Sequence, residues 1–205
     1  MNMEYEIRRY QMTDLSSLYK ICLSTANNGS DASLLLKDSD LVGHLYAAPY
    51  ALFEPNLCFI LLKDAMPCGY ILGTQDSIKF QERCEKEWFP ELRKRYPLLN
   101  EKDCSLQASL IRNLHQKNVF INEINDFIAH LHIDILPIGQ GKGFGRQLIQ
   151  KFFDQLQVFG VGGVHLIVNK ENDSAMGFYK HIGFQELREI GESIVFVKEI
   201  KSIKY

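Results

Sequence analysis

The sequence predicts an α/β fold on three observations. The chain has 205 residues, of which 46% are apolar and 11% aromatic, enough to form the core of one sizeable domain. Short apolar runs of strand length alternate along it with longer stretches whose apolar residues recur at helical spacing. In the first half, two of the short runs are separated by residues 64–67 alone, as in a β-hairpin. We therefore expect residues 1–205 to form a single α/β domain.

The first part of the chain predicts a strand, two helices and a β-hairpin. Alternating charged and larger residues favour a strand at the start, and helical spacing after a cap at Thr13 or Asp14 favours a helix. The apolar runs around the hairpin turn predict adjacent antiparallel strands. The predicted elements are a strand over Tyr5–Tyr10, a helix to about Thr25, a helix over Leu34–Leu45 that ends near Pro49, and strands over Leu57–Lys63 and Gly69–Gly73.

Residues 76–125 are too long for a simple connection between two strands and predict a helical insertion between the third and fourth strands. Apolar residues at helical spacing, with charges between them, predict an amphipathic helix over Ile78–Tyr96 that Pro97 terminates, and a second over Ser105–His115. Nine acidic and nine basic residues lie between Asp76 and Asp126, so this segment is neutral.

The last part of the chain predicts strands and helices in alternation. A strand over Phe127–Leu136 would place His130, His132 and Asp134 on one face, because side chains alternate along a strand. The other predicted elements are a helix from about Phe144 to Phe159, a buried strand over Val164–Val168, a helix over Asp173–His181 capped by Asn172 and ended by Gly183, and a strand over Ile194–Ile200.

Composition and charge argue against several classes of function. Lys and Arg number 23 and Asp and Glu 25, a formal net charge of -2, so we expect no nucleic-acid or membrane partner. Neither an apolar leader nor a run near the roughly 18 apolar residues of a membrane span is present, which predicts a cytoplasmic protein. Five cysteines without a Cys-x-x-Cys pair, together with scattered histidines, favour reduced thiols and no metal site.

Glycines at 139, 141, 143 and 145 follow a predicted strand directly and precede a predicted helix. In that position several backbone N–H groups can face one point at the positive end of the helix, which favours a phosphate or pyrophosphate cradle. A tight glycine turn without a ligand is the alternative. A Walker-type site is excluded because Gly143, and not Ser or Thr, follows Lys142. The glycine spacing of a dinucleotide fold is not met either.

Two motifs in this order resemble those of the GNAT superfamily of acetyl-CoA-dependent N-acetyltransferases. They are Pro137-x-x-Gln140-Gly141-x-Gly143-x-Gly145 and Asn172-x-x-Ala175-x-x-Phe178-Tyr179-x-x-x-Gly183-Phe184. Further segments resemble the acetyltransferase-like domain attached to O-GlcNAcase and its free-standing bacterial relatives. These are Leu57-Cys-Phe-Ile-Leu, Cys68-Gly-Tyr-Ile-Leu-Gly, Trp88-Phe-Pro-Glu-Leu-Arg and His130-Leu-His-Ile-Asp134.

The resemblance implies a mixed, mostly antiparallel sheet with helices on both faces, splayed between the strand that ends at Leu136 and the strand over Val164–Val168. Acetyl-CoA would enter that split. The loop amides would hold its pyrophosphate, Asn172 its pantetheine arm, and the backbone N–H near Ile135 and Leu136 would polarise the thioester carbonyl. The cofactor-binding residues implied in this way are Ile135, Leu136, Gln140, Gly141, Lys142, Gly143, Phe144, Gly145 and Asn172.

Tyr179 occupies the position that the resemblance assigns to the general acid, which would protonate the departing thiolate. Packing of the aromatic ring is the alternative for Tyr179. A base is also needed, because an attacking ammonium must lose a proton, and Asp134 and His132 are the candidates. Both can equally be structural. His130 and Glu123 are weaker candidates for the same role.

The sequence therefore predicts direct transfer of an acetyl group from acetyl-CoA to a primary amine of a small molecule or protein. No cysteine lies near the loop, so no covalent enzyme intermediate is expected. The insertion over 76–125 is expected to cover the acceptor side of the cleft, and the chain to act as a monomer or homodimer. A non-catalytic acyl-CoA-binding or protein-interaction module is the alternative.

Overall fold

A computed structural model of the protein describes residues 4–116 and 122–200, without the side chains of 122, 123 and 125. Within these residues the strands are β1 (Tyr5–Arg9), β2 (Phe59–Lys63), β3 (Met66–Thr74), β4 (Ala129–Ile135), β5 (Gly163–Asn169), β6 (Gln185–Ile190) and β7 (Ser193–Glu199). The helices are α1 (Leu15–Thr25), α2 (Leu41–Tyr46), α3 (Ala48–Phe53), α4 (Ser77–Glu87), α5 (Phe89–Arg95), α6 (Leu106–His115), α7 (Phe144–Val158) and α8 (Asp173–His181).

The seven strands of the described residues form one sheet in the order β1-β2-β3-β4-β5-β7-β6. Neighbours are antiparallel except β4 and β5, which are parallel and pair through Ala129 with Val164 and His130 with His165. Both pairs lie at the start of the two strands, so the strands separate toward their ends. This confirms the predicted mixed, mostly antiparallel sheet and the predicted hairpin of β2 and β3.

Helices cover both faces of the sheet, as predicted. One face packs against α1 to α3 and against the insertion helices α4 to α6, with Leu18, Tyr50, Phe80 and Leu110 in the shared core. The other face packs against α7 and α8, through residues such as Phe152 and Tyr179. His130, His132 and Asp134 lie on the first face, because their β3 partners Thr74, Leu72 and Tyr70 belong to that layer. No helix in the described ranges is long and apolar enough to span a membrane.

The predicted helix over Leu34–Leu45 is wrong at its start. Leu34 is fully exposed and lies in a turn, and the helix begins only at Leu41. Pro49 does not end a helix but lies in the first turn of α3, where proline is tolerated because its missing N–H would have no helical acceptor. Asp14 occupies the N-cap position of α1, as predicted, but its side chain does not accept from the helix, and its buried carboxylate pairs with Arg8 at 2.7 Å instead.

Two further predictions needed correction. The helix predicted over Ile78–Tyr96 is divided at Trp88 into α4 and α5, because Pro90 in the first turn of α5 cannot continue a helix from before it. The strand β6 was not predicted at all. Its residues over Gln185–Ile190 are all exposed and half of them are charged, so they lack the apolar alternation that indicates a strand.

Candidate active site

A continuous cleft of about 1600 Å³ lies where β4 and β5 separate. On one side it is lined by the glycine loop and α8, through residues such as Gly143 and Asn172. On the other side it is lined by β4, α2, α3 and the insertion helices, through residues such as Asp134, Tyr50 and Phe89. The insertion therefore lies beside the half of the cleft that contains Asp134, opposite the glycine loop.

The glycine loop combines left-handed backbone with open space. Gly141 and Gly143 have φ of +70° and +79°, a region that glycine adopts without the steric cost of a Cβ. A Cβ built on either residue meets no atom within 4 Å. Gly143 directly precedes α7, whose first N–H groups have no acceptor within the helix. The loop thus presents donors to an empty space at a positive helix end, as an anion cradle requires.

The other two glycines of the loop allow close packing. A Cβ on Gly139 would lie 2.8 Å from the Ile135 side chain, and one on Gly145 would lie 2.9 Å from the Phe178 ring. Gly145 therefore lets α7 and α8 approach each other at the mouth of the cleft. The four glycines were predicted as one set, but the structure divides them into two that shape the backbone and two that fit against side chains.

Polar side chains of the loop bind carbonyl groups of the chain itself. The Gln140 side-chain amide donates to the Ile135 carbonyl at 2.7 Å, which fixes the loop to the end of β4. The Lys142 ammonium donates to the Ile138 carbonyl at 3.0 Å. Both residues are exposed, and neither bond uses the loop's backbone N–H groups. These two side chains hold the shape of the loop.

The end of β4 corrects one detail of the prediction. The Leu136 N–H donates to the Cys68 carbonyl of β3 at 2.8 Å and is not free to polarise a thioester carbonyl. In an antiparallel pair alternate residues bond to the same neighbour, so the N–H of the preceding Ile135 is directed away from β3, toward the gap before β5. Of the two amides predicted for this role, Ile135 alone has the required direction.

Asp134 lies on the opposite side of the cleft from the loop and is bound by a buried tyrosine. The Tyr70 hydroxyl of β3 donates to its carboxylate at 2.5 Å. Burial raises the pKa of Asp134, whereas hydrogen bonds from Tyr70 and Thr25 act in the opposite direction. A carboxylate with a raised pKa is a better proton acceptor than an exposed one, which suits a base.

His132 is joined to a second buried tyrosine. Its Nε2 lies 3.1 Å from the Tyr50 hydroxyl, which is also 2.7 Å from Nε2 of His130. Nδ1 of His130 lies 2.6 Å from the Ser77 hydroxyl. Burial lowers the pKa of His132 to about 4 and that of His130 well below its ordinary value, so both imidazoles are neutral near pH 7.

Tyr179 and Asn172 line the side of the cleft formed by α8. Tyr179 is 8% exposed and packs its ring against Phe184 and Phe196. Burial, and to a lesser extent the charge of Asp134, raise the pKa of Tyr179. Its hydroxyl therefore stays protonated in water and keeps a proton that it can donate. The Asn172 side chain accepts from the Ala175 N–H at 3.1 Å and caps α8, as predicted.

Sequence reasoning missed Tyr50, Tyr70 and Ser77. Tyr70 pairs directly with Asp134, but in the register of β3 and β4, which the long insertion separates in sequence, so no local pattern indicates the pair. Tyr50 and Ser77 come from α3 and α4, and no local motif indicates that they reach β4. Of the predicted candidates, the structure brings Asp134, His132 and Tyr179 to one cleft, and the side chain of Glu123 lies outside the described residues.

Comparisons with known proteins agree with this geometry. The model of the acetyltransferase (GNAT) family matches residues 33–184. Protein O-GlcNAcase of Rattus norvegicus is 24% identical over 189 residues, which cover 91% of this chain and 20% of that protein. The chain thus spans about a fifth of the length of this relative.

Solved structures give the same result. The crystal structure of SsHAT is 32% identical in sequence to this chain and superposes on it with a TM-score of 0.91. The match covers 97% of this chain and 100% of SsHAT. The PaiA N-acetyltransferase of Thermoplasma acidophilum, solved in complex with coenzyme A, is 15% identical over 96% of this chain and 99% of its own, with a TM-score of 0.60. At that identity the second likeness concerns the fold.

Proposed function

Because the chain belongs to the acetyltransferase (GNAT) family, we propose that it is an N-acetyltransferase that moves an acetyl group directly from acetyl-CoA to a primary amine. One observation carries the proposal beyond family membership. The open glycine loop and the Asp134–His132 face lie on opposite sides of one cleft, and Tyr179 of α8 lines the same cleft. A donor and an acceptor could therefore meet there without a covalent intermediate.

The donor side fits coenzyme A. The backbone from Gln140 to Gly145 would bind the pyrophosphate, with Lys142 near its charge, and Asn172 would contact the pantetheine arm. The Ile135 N–H would polarise the thioester carbonyl, since it is directed into the gap between β4 and β5. PaiA, which shares this fold, was solved in complex with coenzyme A, and this supports the same use of the cleft here.

The reaction would proceed in one displacement. The ammonium of the acceptor gives a proton to a base beside it, for which Asp134 and His132 are placed. The neutral nitrogen attacks the thioester carbon, the C–N bond forms, the nitrogen gives up its second proton to solvent, and the C–S bond breaks. The Tyr179 hydroxyl gives its proton to the departing thiolate and regains one from solvent. The products are an acetamide and coenzyme A, with one proton released overall.

The lining of the acceptor side favours an amine with an apolar or aromatic body. Among the described residues it consists of uncharged side chains from α2, α3 and the insertion, with Asp134 at its inner end. This lining comprises Val42, Leu45, Tyr46, Tyr50, Ser77, Phe80, Gln81, Phe89, Leu106, Leu110, Asn113, Gln116 and Ile124. A single buried carboxylate suits one ammonium group, whereas a second charge on the acceptor would be desolvated without a partner.

We further propose that residues 1–205 act as one cytoplasmic domain, monomeric or homodimeric, without a nucleic-acid or membrane partner. The near balance of acidic and basic residues supports the absence of a polyanion partner. Size-exclusion chromatography with light scattering would determine the oligomeric state, and a retardation assay with DNA or RNA would overturn the second part if binding persisted at physiological salt.

Thermal unfolding with acetyl-CoA tests the donor site. Binding to the native state alone stabilises it by about 2.7 kcal/mol at about 100 times the dissociation constant. We expect acetyl-CoA and coenzyme A to raise the midpoint, and pantetheine, which lacks the pyrophosphate and the adenosine of coenzyme A, to raise it far less. A midpoint unmoved by millimolar acetyl-CoA would remove the proposed donor and the proposed activity with it.

A further inference from the structure

Four side chains on the acceptor side of the cleft form a continuous chain of hydrogen bonds. The Ser77 hydroxyl contacts the Ile128 carbonyl at 2.6 Å and Nδ1 of His130 at 2.6 Å. Nε2 of His130 and Nε2 of His132 then both contact the Tyr50 hydroxyl, at 2.7 and 3.1 Å. Ser77, Tyr50, His130 and His132 all line the cleft. This hydrogen-bond chain starts at the backbone carbonyl of Ile128, and that carbonyl determines the direction of every hydrogen bond in it.

A carbonyl oxygen can only accept, so the one proton of the Ser77 hydroxyl is donated to Ile128. The Ser77 oxygen must then accept from its other neighbour, Nδ1 of His130. His130 therefore carries its proton on Nδ1. Burial keeps this ring neutral, so that its Nε2 has a lone pair and accepts the hydroxyl proton of Tyr50.

Tyr50 has a single hydroxyl proton, and His130 has taken it. The Tyr50 oxygen can therefore only accept from His132, which must donate through Nε2–H. A neutral imidazole carries one proton, so the lone pair of His132 lies on Nδ1. Each step follows from a count of donors and acceptors, with the Ile128 carbonyl as the fixed end of the chain.

We propose that Ser77, His130 and Tyr50 hold His132 as its Nε2–H tautomer, and that Nδ1 of His132 accepts the proton of the acceptor's ammonium, directly or through one water. This inference rests on the proposed N-acetyltransferase function. His132 would be the catalytic residue, and the other three would be positioning residues. The proton passes from the amine nitrogen to Nδ1 and then to solvent, while Tyr179 supplies the proton of the thiol product.

The hydrogen-bond chain leaves the lone pair of His132 on Nδ1 before the substrate arrives. An imidazole without such partners divides its population between two tautomers, and only one of them would have its lone pair on the required atom. The ring of His165 lies close to that of His130, but its Nδ1 donates to the Phe127 carbonyl at 2.6 Å, so His165 is not part of the hydrogen-bond chain. Tyr50 also stacks on Phe80, which fixes its ring between the two histidines.

Ring-nitrogen NMR of protein labelled with ¹⁵N-histidine tests the tautomers without requiring activity. At pH 7 we expect His130 to show a protonated Nδ1 and an unprotonated Nε2, and His132 to show the reverse. His132 protonated on Nδ1, or charged, would overturn the proposal. Because this readout needs no acceptor amine, it is independent of a failure to find turnover.

Ser77→Ala tests whether the hydrogen-bond chain sets the tautomer of His132. Without the serine oxygen, His130 has no acceptor for an Nδ1 proton and should carry it on Nε2. The Tyr50 hydroxyl should then turn to Nε2 of His132, which places the His132 proton on Nδ1. We expect the NMR pattern of both rings to invert and kcat to fall about 5- to 10-fold, as for the loss of one oriented hydrogen bond, with KM nearly unchanged.

Thr74→Val is the matched control, because it removes a buried hydroxyl from neighbouring β3 that bonds to the Glu54 side chain and to the backbone of Asp76, and to none of the side chains of Ser77, His130, Tyr50 and His132. It should leave both tautomers and kcat unchanged. If Ser77→Ala does not fold, Tyr50→Phe keeps the stacked ring and should leave His132 in a mixture of tautomers. An unchanged His132 tautomer in a folded Ser77→Ala or Tyr50→Phe variant would show that the chain does not set it.

Discussion

Substitution of Gly143 by valine separates binding of the cofactor from stability of the fold. Gly143 has φ of +79° and open space around a built Cβ, and it lines the cleft. Gly160 provides a matched control at the other end of α7. It has φ of +74° and equally open space, but lies 17 residues further along the chain, roughly 25 Å along the helix axis. Any difference between Gly143→Val and Gly160→Val therefore reports on the ligand.

The backbone cost is similar at the two positions. A side chain in the left-handed region costs roughly 1–2 kcal/mol, which lowers Tm by about 2–8 °C in a chain of this size. At Gly143 the valine side chain would also occupy the space beside the loop's N–H groups. Loss of two charge-assisted hydrogen bonds, at about 1.5–3 kcal/mol each, would weaken acetyl-CoA binding at least 100-fold.

Isothermal titration calorimetry with acetyl-CoA, alongside thermal unfolding of both variants, makes the comparison. We expect similar losses in Tm, wild-type affinity in Gly160→Val, and no measurable binding in Gly143→Val. Wild-type affinity in a folded Gly143→Val variant would show that this loop is not the pyrophosphate cradle.

Three further predictions follow from the burial of the site. Tyr179→Phe should slow turnover about 10²- to 10⁴-fold with little change in acetyl-CoA affinity, whereas Tyr10→Phe, outside the cleft, should leave turnover unchanged. Equal activity of Tyr179→Phe and wild type in steady-state kinetics would show that Tyr179 is a packing residue. Asp134→Asn should slow turnover but, at pH values above the raised pKa of Asp134, increase Tm, because it removes a buried charge. This gain in Tm should vanish as the pH falls below that pKa, and an unchanged or lowered Tm at pH 8 would contradict the burial argument. The half-buried His130 and His132 and the buried His165 have pKa values lowered by desolvation, so the stability that they contribute is complete above about pH 6.5 and is lost as the pH falls. Urea midpoints should therefore fall as the pH drops toward the pKa of His132, about 4, and midpoints that are flat from pH 7 to 5 would refute this.

Local sequence patterns predicted the elements whose residues alternate or repeat regularly. The hairpin, β4, α7 and α8 follow from apolar spacing and from caps such as Asn172, and the shared face of His130, His132 and Asp134 follows from alternation alone. The two motifs around the glycine loop and Tyr179 indicated the family because they lie in the parts of the chain where the proposed cofactor site would be formed by consecutive residues.

Contacts between distant segments could not be predicted in this way. The Leu136 amide was assigned to the thioester because nothing in the motif shows which neighbour it bonds to, and only the β3–β4 register directs it to Cys68. Tyr50 lies 80 residues before its partner His130, on a helix whose local sequence carries no polar pattern. The strand β6 is exposed at the edge of the sheet and depends on pairing with β7, which a local pattern does not record.

The most direct test of the account is acceptor-dependent release of thiol from acetyl-CoA. Purified protein would be incubated with acetyl-CoA and a panel of primary amines with aromatic, aliphatic, polycationic and peptide bodies, and acetylated products would be identified by mass spectrometry. We expect the release of coenzyme A to match the formation of the acetylated amine, and both to be fastest for singly charged amines with apolar or aromatic bodies. Tight acetyl-CoA binding by calorimetry without turnover of any amine would contradict it and would favour a non-catalytic acyl-CoA-binding module.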